Sequence, residues 1–312
     1  MSKPTLLAAL PPAWNGLWRT RLADGTVRLV RYGTDAFDPA AVDYVLSFRP
    51  PPGLLESLPH LKAVFSMGAG IDGFLASGDY PARVPLFRFV DPTLTREMAQ
   101  YVLMEVLIRH RGQYAFDAAQ KRADWIQAMM PRRTEETRIG ILGLGEIGGF
   151  VADLFVRLGF PVLGWSRRKR SLPGVESFGG REELSAFFSR TDVAVCLLPL
   201  TRQTTGILDK AAFAAMPQGG FVVNVARGAH LNVPDLVAAL DSGHLSGAAI
   251  DVFETEPLPK DDPLWRHPKI AVTPHVAAIS QPEVAATYVL DGIARFERGE
   301  MPDHRVNLAA GY

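Results

Sequence analysis

The chain has 312 residues, more than one hydrophobic core usually holds, so two domains with a cleft between them are expected. Hydrophobic residues make up 47% and charged residues 21%, and 33 Lys and Arg balance 33 Asp and Glu, which argues against both a disordered chain and the basic field of a nucleic-acid binder. The single cysteine, Cys196, excludes a disulfide framework and a cysteine zinc cluster, so no metal is expected. No apolar run reaches membrane-spanning length. The apolar stretch Leu6 to Leu10 stops at Pro11 without a cleavage-like pattern, so the expected compartment is a reducing cytoplasm, with neither nucleic acid nor membrane as partner.

In chain order, Leu6–Leu10, Val27–Tyr32, Tyr44–Phe48, Ala63–Met67 and Pro85–Val90 read as short strands separated by helices or turns, the alternation of a parallel sheet covered by helices. A helix is predicted over Thr95–His110, where Met98, Val102, Val106 and Leu107 recur near helical spacing. Gly112 interrupts it, a second helical segment runs to about Trp125, and the Pro- and Arg-rich loop Met129–Glu136 leads to a new unit. That unit opens as a βαβ module: strand Arg138–Leu142, a glycine-rich turn, helix Ile147–Leu158 and strand Pro161–Trp165. Strands over Val193–Leu198, Phe221–Val225, Ala248–Val252 and Ile270–Val272 follow, with helical segments between them. The last helix, Pro282–Arg298, comes after the final strand and is placed to return to the first domain. The fold class is therefore α/β, with two Rossmann-like domains built on parallel sheets.

The turn after the first strand of the second unit carries Gly143, Gly145 and Gly148 in G-x-G-x-x-G spacing, followed directly by a helix, which is the context a dinucleotide site requires. The first glycine permits the tight turn, the second lets backbone approach a pyrophosphate, and the third lets the helix lie close on the sheet. Leu144, Glu146 and Ile147 complete the turn, whose helix N-terminus offers free N–H groups and positive potential. After the next strand, where an NAD-specific fold places a carboxylate for the ribose hydroxyls, the chain reads Trp165, Ser166, Arg167, Arg168. Two guanidinium groups and a hydroxyl suit a 2′-phosphate, so NADPH is the expected cofactor, with weaker use of NADH. The other reading is a solvated basic loop, extended by Lys169 and Arg170.

Three further residues of functional type lie at successive strand ends: Arg227 after Phe221–Val225, Glu256 beyond Asp251, and His275 in Thr-Pro-His. In open α/β sheets that edge faces the ligand crevice. Singly, each has an ordinary alternative: a surface cation, a loop charge before Pro257, a buried hydrogen-bonded ring. Asp251 could equally cap a turn.

Together with the glycine motif, these residues resemble the D-isomer-specific 2-hydroxyacid dehydrogenase family over nearly the whole length. The group of glyoxylate and hydroxypyruvate reductases within it is similar in Phe-Ser-Met-Gly-Ala-Gly-Ile-Asp, Trp-Ser-Arg, Gly-Arg-Glu-Glu-Leu-Ser-Ala-Phe, Ala-Arg-Gly, Leu-Asp-Ser-Gly, Glu-Pro-Leu-Pro and Thr-Pro-His-Val-Ala-Ala. The resemblance implies NADPH-dependent reduction of a small 2-oxo acid, glyoxylate to glycolate or hydroxypyruvate to D-glycerate. In it Arg227 binds the substrate carboxylate and polarises its carbonyl, His275 is the acid/base, and Glu256 orients His275. It also implies a flavodoxin-like substrate-binding domain over 1–95, completed by 283–312, and a dinucleotide-binding Rossmann domain over 96–282.

By the same resemblance Asp251 contacts the nicotinamide carboxamide, Leu198, Pro199 and Thr205 form the adenosine-side loop, and Val225 and Ala226 line the cofactor. Met67, Gly68, Ala69 and Gly70 present backbone N–H groups to the substrate carboxylate. Phe48 and Arg49 stand where the similar group often has Trp-His, a departure that bears on substrate preference. A homodimer is implied, with the helices from Met98 to Trp125 in its interface and the loop Gln127–Arg133 approaching the partner's cleft. Formate dehydrogenases of this fold place Gln before the histidine, where this chain has Pro274. The alternatives are a cofactor-sensing, corepressor-like binding protein of the same fold and a dehydrogenase for a bulkier 2-hydroxy acid.

Overall fold

The structure is a computed structural model and describes residues 3–10, 21–22, 25–75, 78, 80–90, 92–127 and 132–308. The chain divides into two compact units, 1–94 with 279–312 and 95–278; the sequence-based boundaries stood at 95/96 and 282/283.

The first unit holds a parallel sheet of β1 (Thr5–Ala9), β2 (Arg28–Arg31), β3 (Tyr44–Ser47), β4 (Ala63–Ser66) and β5 (Leu86–Phe87), in the order β2-β1-β3-β4-β5. Its register aligns Val30, Leu7, Val45, Val64 and Leu86 in one row across the sheet. That row is the spine of a core that also takes Phe74 from the short helix α1 (Asp72–Leu75).

The second unit begins with helices α2 (Pro92–His110) and α3 (Gln113–Lys121). Then come β6 (Ile139–Leu142), α4 (Glu146–Arg157), β7 (Val162–Ser166), β8 (Val175–Gly179), α5 (Leu184–Ser189) and β9 (Val193–Cys196). They are followed by α6 (Lys210–Ala215), β10 (Gly220–Asn224), α7 (Val233–Asp241), β11 (Leu245–Ile250) and β12 (Ile270–Val272). The sheet is parallel throughout, in the order β12-β11-β10-β9-β6-β7-β8. Strand order reverses between β6 and β9, the switch point where such sheets open a crevice.

Alternate residues of each strand serve opposite cores. Val193 and Val195 pack with Val102, Val106 and Phe155 on one face, and Ala194 and Cys196 with Phe187, Phe213 and Leu236 on the other. Burial on both faces is why these strands read as unbroken apolar runs.

The chain returns to the first unit as α8 (Pro282–Glu297), whose Gly292 lies against Phe65: a Cβ there would come within 2.5 Å of the ring. Phe65 stacks on Phe87, Phe296 meets Tyr44 edge-on, and Glu297 accepts a hydrogen bond from the Tyr44 hydroxyl at 2.5 Å and pairs with Lys62 at 2.7 Å.

Three elements differ from expectation. β5 spans only Leu86–Phe87 of the predicted Pro85–Val90, and residues 304–306 run antiparallel beside it: Val306 N–H donates to Leu86 O at 2.8 Å and Arg88 N–H to His304 O at 3.2 Å. α3 stops at Lys121, short of Trp125, where Ala123 takes a left-handed φ of 57° and Asp124 N–H closes back on Ala119 O. β8 was not anticipated. It is an edge strand whose polar Glu176 and Ser177 give no apolar run. Residues 128–131 of the predicted loops Met129–Glu136 and Gln127–Arg133 lie outside the described residues.

Candidate active site

The glycine-rich turn leaves β6 at the switch point and caps α4. Gly143 has φ 101°, and a Cβ on it would stand 2.8 Å from Leu197 O, in the segment after β9. A Cβ on Gly148 would fall 1.7 Å from Gly143 O, so only glycine lets α4 lie this close. Gly145 is different: a Cβ there would meet no atom within 4 Å, which leaves open space at the start of the helix. Gly145 is the N-cap of α4 and offers no side-chain cap, so the first N–H groups of α4 have no intrahelical partners. Leu144 points the other way, buried against Gly164, so it presents only backbone to this space. Glu146 is exposed and Ile147 packs partly on the core.

At the end of β7 the Trp165 indole is buried and donates to Gly180 O at 2.8 Å, which makes it a structural residue of the loop. Ser166 Oγ donates to Arg168 O at 2.6 Å, and Arg167 and Arg168 are exposed. Two further cations of the run are tethered. Lys169 pairs with Glu183 at 3.2 Å, and the Arg170 guanidinium donates to Leu144 O in the glycine-rich turn. The Arg170 contact is 26 residues away along the chain. Beyond β9, Leu198 is core. Pro199 O accepts from Thr204 Oγ1 at 2.8 Å, and Thr205 Oγ1 donates to Thr201 O at 2.9 Å.

β10 delivers the buried Val225 and Ala226 and then Arg227, in extended backbone and half-buried. The Arg227 carbonyl is held by Asn224 Nδ2 at 3.0 Å and by the N–H of His230 at 3.2 Å. His230 was not singled out from sequence. It is fully buried, with Nδ1 3.2 Å from Arg227 O and Nε2 3.3 Å from Pro199 O, so it braces the Arg227 turn against the loop after β9. Gly228 presses on the next strand's exit: a Cβ would fall 2.0 Å from the Phe253 carbonyl carbon.

That exit carries Glu256. One carboxylate oxygen accepts the Phe253 N–H at 2.9 Å and the other bonds Nδ1 of His275 at 2.8 Å. Burial opposes the charge on Glu256, but the bonds from His275 and the Phe253 N–H, with the charges of His275 and Arg227, hold its carboxyl below the ordinary value. Because the carboxylate only accepts, Nδ1 carries a proton, and Nε2 is the ring nitrogen left to face a substrate.

His275 follows β12 in left-handed backbone, φ 56°, unusual outside glycine. Its N–H donates to Asp251 O at 2.8 Å. The buried Asp251 carboxylate accepts Thr273 Oγ1 at 2.6 Å, Val276 N–H at 2.9 Å and Ala277 N–H at 3.0 Å, so this residue straps down the turn that presents the imidazole. Arg227, Asp251, Glu256 and His275 are thus brought together at the carboxyl edge of β10, β11 and β12.

In the first unit, Met67–Gly70 follow β4. Ser280 Oγ donates to Met67 O at 2.8 Å, Ser66 Oγ to Gly68 O at 3.0 Å, and Gly68 N–H to Ser66 Oγ at 3.3 Å. The Phe48 ring lies over Gly68, where a Cβ would be 3.2 Å from it. Gly73 packs on the Phe48 carbonyl and on Arg49.

Residues 103–277 match the model of the D-isomer specific 2-hydroxyacid dehydrogenase family, NAD binding domain. The chain is 42% identical to a glyoxylate/hydroxypyruvate reductase A of Salmonella paratyphi B, over 96% of this chain and 98% of the relative. Among solved structures it is similar to a D-isomer specific 2-hydroxyacid dehydrogenase from Xanthobacter autotrophicus Py2 in complex with NADPH and MES. That match has TM-score 0.92 and 38% identity, with full coverage of both chains. An NADPH-dependent glyoxylate/hydroxypyruvate reductase from Sinorhizobium meliloti in complex with NADP and sulfate is 36% identical at TM-score 0.92, covering 99% of this chain and 100% of that one. The glycine turn at the switch point, the arginine after β10 and the paired Glu256 and His275 therefore stand in a chain that belongs to the D-isomer specific 2-hydroxyacid dehydrogenase family.

Proposed function

We propose that this protein is an NADPH-dependent reductase of small 2-oxo acids, converting glyoxylate to glycolate and hydroxypyruvate to D-glycerate. The observation that carries the reading is the His275–Glu256 pair, 2.8 Å apart, on the sheet edge that also presents Arg227. The Salmonella and Sinorhizobium relatives are reductases of these two acids, and the structures from Xanthobacter and Sinorhizobium hold NADPH and NADP.

The residues present fit a bound dinucleotide: open space at Gly145, close helix approach at Gly148 and no carboxylate at the end of β7. Gly143 to Gly148 would hold the pyrophosphate, with Ser166, Arg167 and Arg168 at a 2′-phosphate. Leu198, Pro199 and Thr205 would lie on the adenosine side, and Val225 and Ala226 would line the cofactor. Asp251 has spent three of its four acceptor positions, which leaves one for the carboxamide. NADPH, when bound, supplies the hydride.

The chain supplies the rest. Arg227 offers a planar, permanent charge to the carboxylate and carbonyl oxygen of the substrate. The Met67–Gly70 turn of the first unit is read as its substrate-binding segment, with Ala69 and Gly70 as the N–H donors, since the Met67 N–H goes to Ser47 O at 3.0 Å and the Gly68 N–H to Ser66 Oγ at 3.3 Å. His275, doubly protonated and held by Glu256 at Nδ1, gives the Nε2 proton to the carbonyl oxygen as it becomes hydroxyl. The unit of residues 95–278 is read as the dinucleotide domain and the other as the substrate domain.

The reading extends to a homodimer. Met104 on α2 and Tyr114 on α3 are 45% and 42% exposed, apolar surface that a second copy would cover. No helix among the described residues is long and apolar enough to cross a membrane, and a cytoplasmic enzyme fits that observation. A panel of 2-oxo acids assayed with NADPH and NADH in parallel tests the function. Turnover of glyoxylate and hydroxypyruvate with NADPH is expected; tight NADPH binding without turnover of any 2-oxo acid would point to a cofactor-sensing binding protein instead.

A further inference from the structure

A chain of hydroxyl groups runs from helix α2 to the turn that carries His275. The Tyr101 hydroxyl lies 2.6 Å from Thr273 Oγ1, and Thr273 Oγ1 lies 2.6 Å from Asp251 Oδ1. Its direction follows from donor counting. Thr273 has one hydroxyl proton and the ionised Asp251 can only accept, so Thr273 donates to Asp251 and Tyr101 must donate to Thr273. Burial holds the Tyr101 phenol in its protonated, donating form. Serial donation into a carboxylate in a low-dielectric setting polarises each bond in turn.

Beyond Thr273, the same Asp251 receives the backbone of the turn. Its carbonyl takes the His275 N–H, and its carboxylate takes the N–H groups of Val276 and Ala277. His275 itself sits at φ 56°, a conformation that costs free energy for a residue with a Cβ and persists only where its surroundings over-determine it. Asp251, Thr273 and Tyr101 are those surroundings. Tyr101 adds an anchor on a long helix, outside the β11 and β12 exits that carry the other two.

We propose that Tyr101 is a positioning residue for His275, acting through Thr273 and Asp251 to hold the strained turn in the orientation that keeps the imidazole on Glu256. The proposal rests on the reading of His275 as proton donor. Without the Tyr101 donor, Thr273 keeps its bond to Asp251 but loses its tether to α2. The turn then samples relaxed backbone conformations in which Nε2 no longer faces the carbonyl. The chemical step suffers, while binding of cofactor and substrate does not.

The test compares Tyr101→Phe, Thr273→Val and the double variant with wild type and with His275→Ala. Tyr101→Phe should lower kcat for glyoxylate about two- to tenfold, the worth of one hydrogen bond, with KM and the Kd of NADPH unchanged. Amide hydrogen exchange at His275, Val276 and Ala277 should quicken by a similar factor in the absence of cofactor, with exchange in β6 and β9 unaltered. The double variant should be about as slow as Thr273→Val alone, because the two changes cut one chain of bonds. Unchanged exchange in the 275–277 turn overturns the proposal, as does a double variant whose loss is the product of the two single losses. If His275→Ala is inactive while Tyr101→Phe keeps the wild-type kcat, only the positioning role falls. If His275→Ala itself turns over glyoxylate normally, the proton-donor reading falls and takes the proposal with it.

Discussion

Glu256 is tied at both ends: one carboxylate oxygen takes the Phe253 N–H at 2.9 Å while the other holds Nδ1 of His275 at 2.8 Å. Both partners are donors, so a glutamine, with one accepting and one donating end, satisfies only one of them. Glu256→Gln should lower kcat about ten- to a hundredfold, the worth of a hydrogen bond to a charged group. The pH dependence has a definite sign. Because the folded-state carboxyl lies below its ordinary value, the pair's contribution is present above that value and is lost only as pH falls through the depressed one. Wild-type kcat should therefore hold through the ordinary carboxylate range and drop on its acid side. Glu256→Gln should lack that drop. An identical acid limb in the variant would sink the assignment.

Separating the two ends of the reaction distinguishes Arg227 from His275. His275→Ala removes the proposed proton donor and should abolish reduction with the Kd of NADPH nearly unchanged. Arg227→Lys keeps a charge but loses the planar fork, so KM for glyoxylate should rise by at least about tenfold, together with a loss in kcat. Near-wild-type kcat in His275→Ala would remove the acid from the scheme.

Two glycines of one turn should fail in different ways. A Cβ on Gly148 falls 1.7 Å from Gly143 O, so Gly148→Ala overpacks α4 against the turn and should cost on the order of 1 to 3 kcal/mol or more, seen as a Tm lower by several degrees. At Gly145 the same Cβ meets no atom. Gly145→Ala should keep the wild-type Tm and weaken NADPH binding instead, because the methyl group occupies the space proposed for the pyrophosphate. Equal behaviour of the two variants would argue against a phosphate at Gly145.

Much of this was legible because strands buried on both faces advertise themselves as apolar runs, and the polar residues that interrupt them at their carboxyl ends are few: Arg227, Asp251, His275. The glycine turn was legible for the related reason that backbone crowding leaves one residue type. Tertiary partners were not. Tyr101 reads as one more residue of a helix until the fold brings it to Thr273, 172 positions away, and Arg170 reads as a solvated cation until it reaches Leu144. β8 escaped because an edge strand needs little apolar character. The end of α3 escaped because a left-handed alanine has no sequence signature. His230 was passed over because a buried histidine set between two carbonyls looks, in sequence, like any other.

The proposed homodimer is motivated by exposed apolar side chains. Met104 and Tyr114 are joined by Phe150 on α4 at 44% exposure and Leu158 just beyond it at 45%. Light scattering at micromolar concentration should give twice the chain mass. Met104→Glu with Phe150→Glu should shift the species toward monomer if these faces are the ones covered. A wild-type monomer would refute the homodimer.

We attribute cofactor choice to the basic run after β7, and the structure divides that run by what each side chain touches. Arg167 and Arg168 are exposed beside Ser166, whose hydroxyl is turned back onto Arg168 O at 2.6 Å, while Arg170 lies on the glycine-rich turn through Leu144 O. A 2′-phosphate distinguishes NADPH from NADH and carries close to two negative charges, so residues that contact it affect NADPH alone. Residues at the turn lie where the pyrophosphate common to both is proposed to bind. The double change Arg167→Ala, Arg168→Ala should therefore cut kcat/KM for NADPH by at least about tenfold, at ~1.5 kcal/mol or more for each charge-assisted hydrogen bond, and leave NADH nearly unchanged. Arg170→Ala should lower kcat/KM for both cofactors by a similar factor. The NADPH preference of the wild type should also shrink with rising ionic strength, since these guanidinium groups are open to solvent. Equal losses with both cofactors in the Arg167, Arg168 variant, or a wild type that prefers NADH, would show that the 2′-phosphate is read elsewhere.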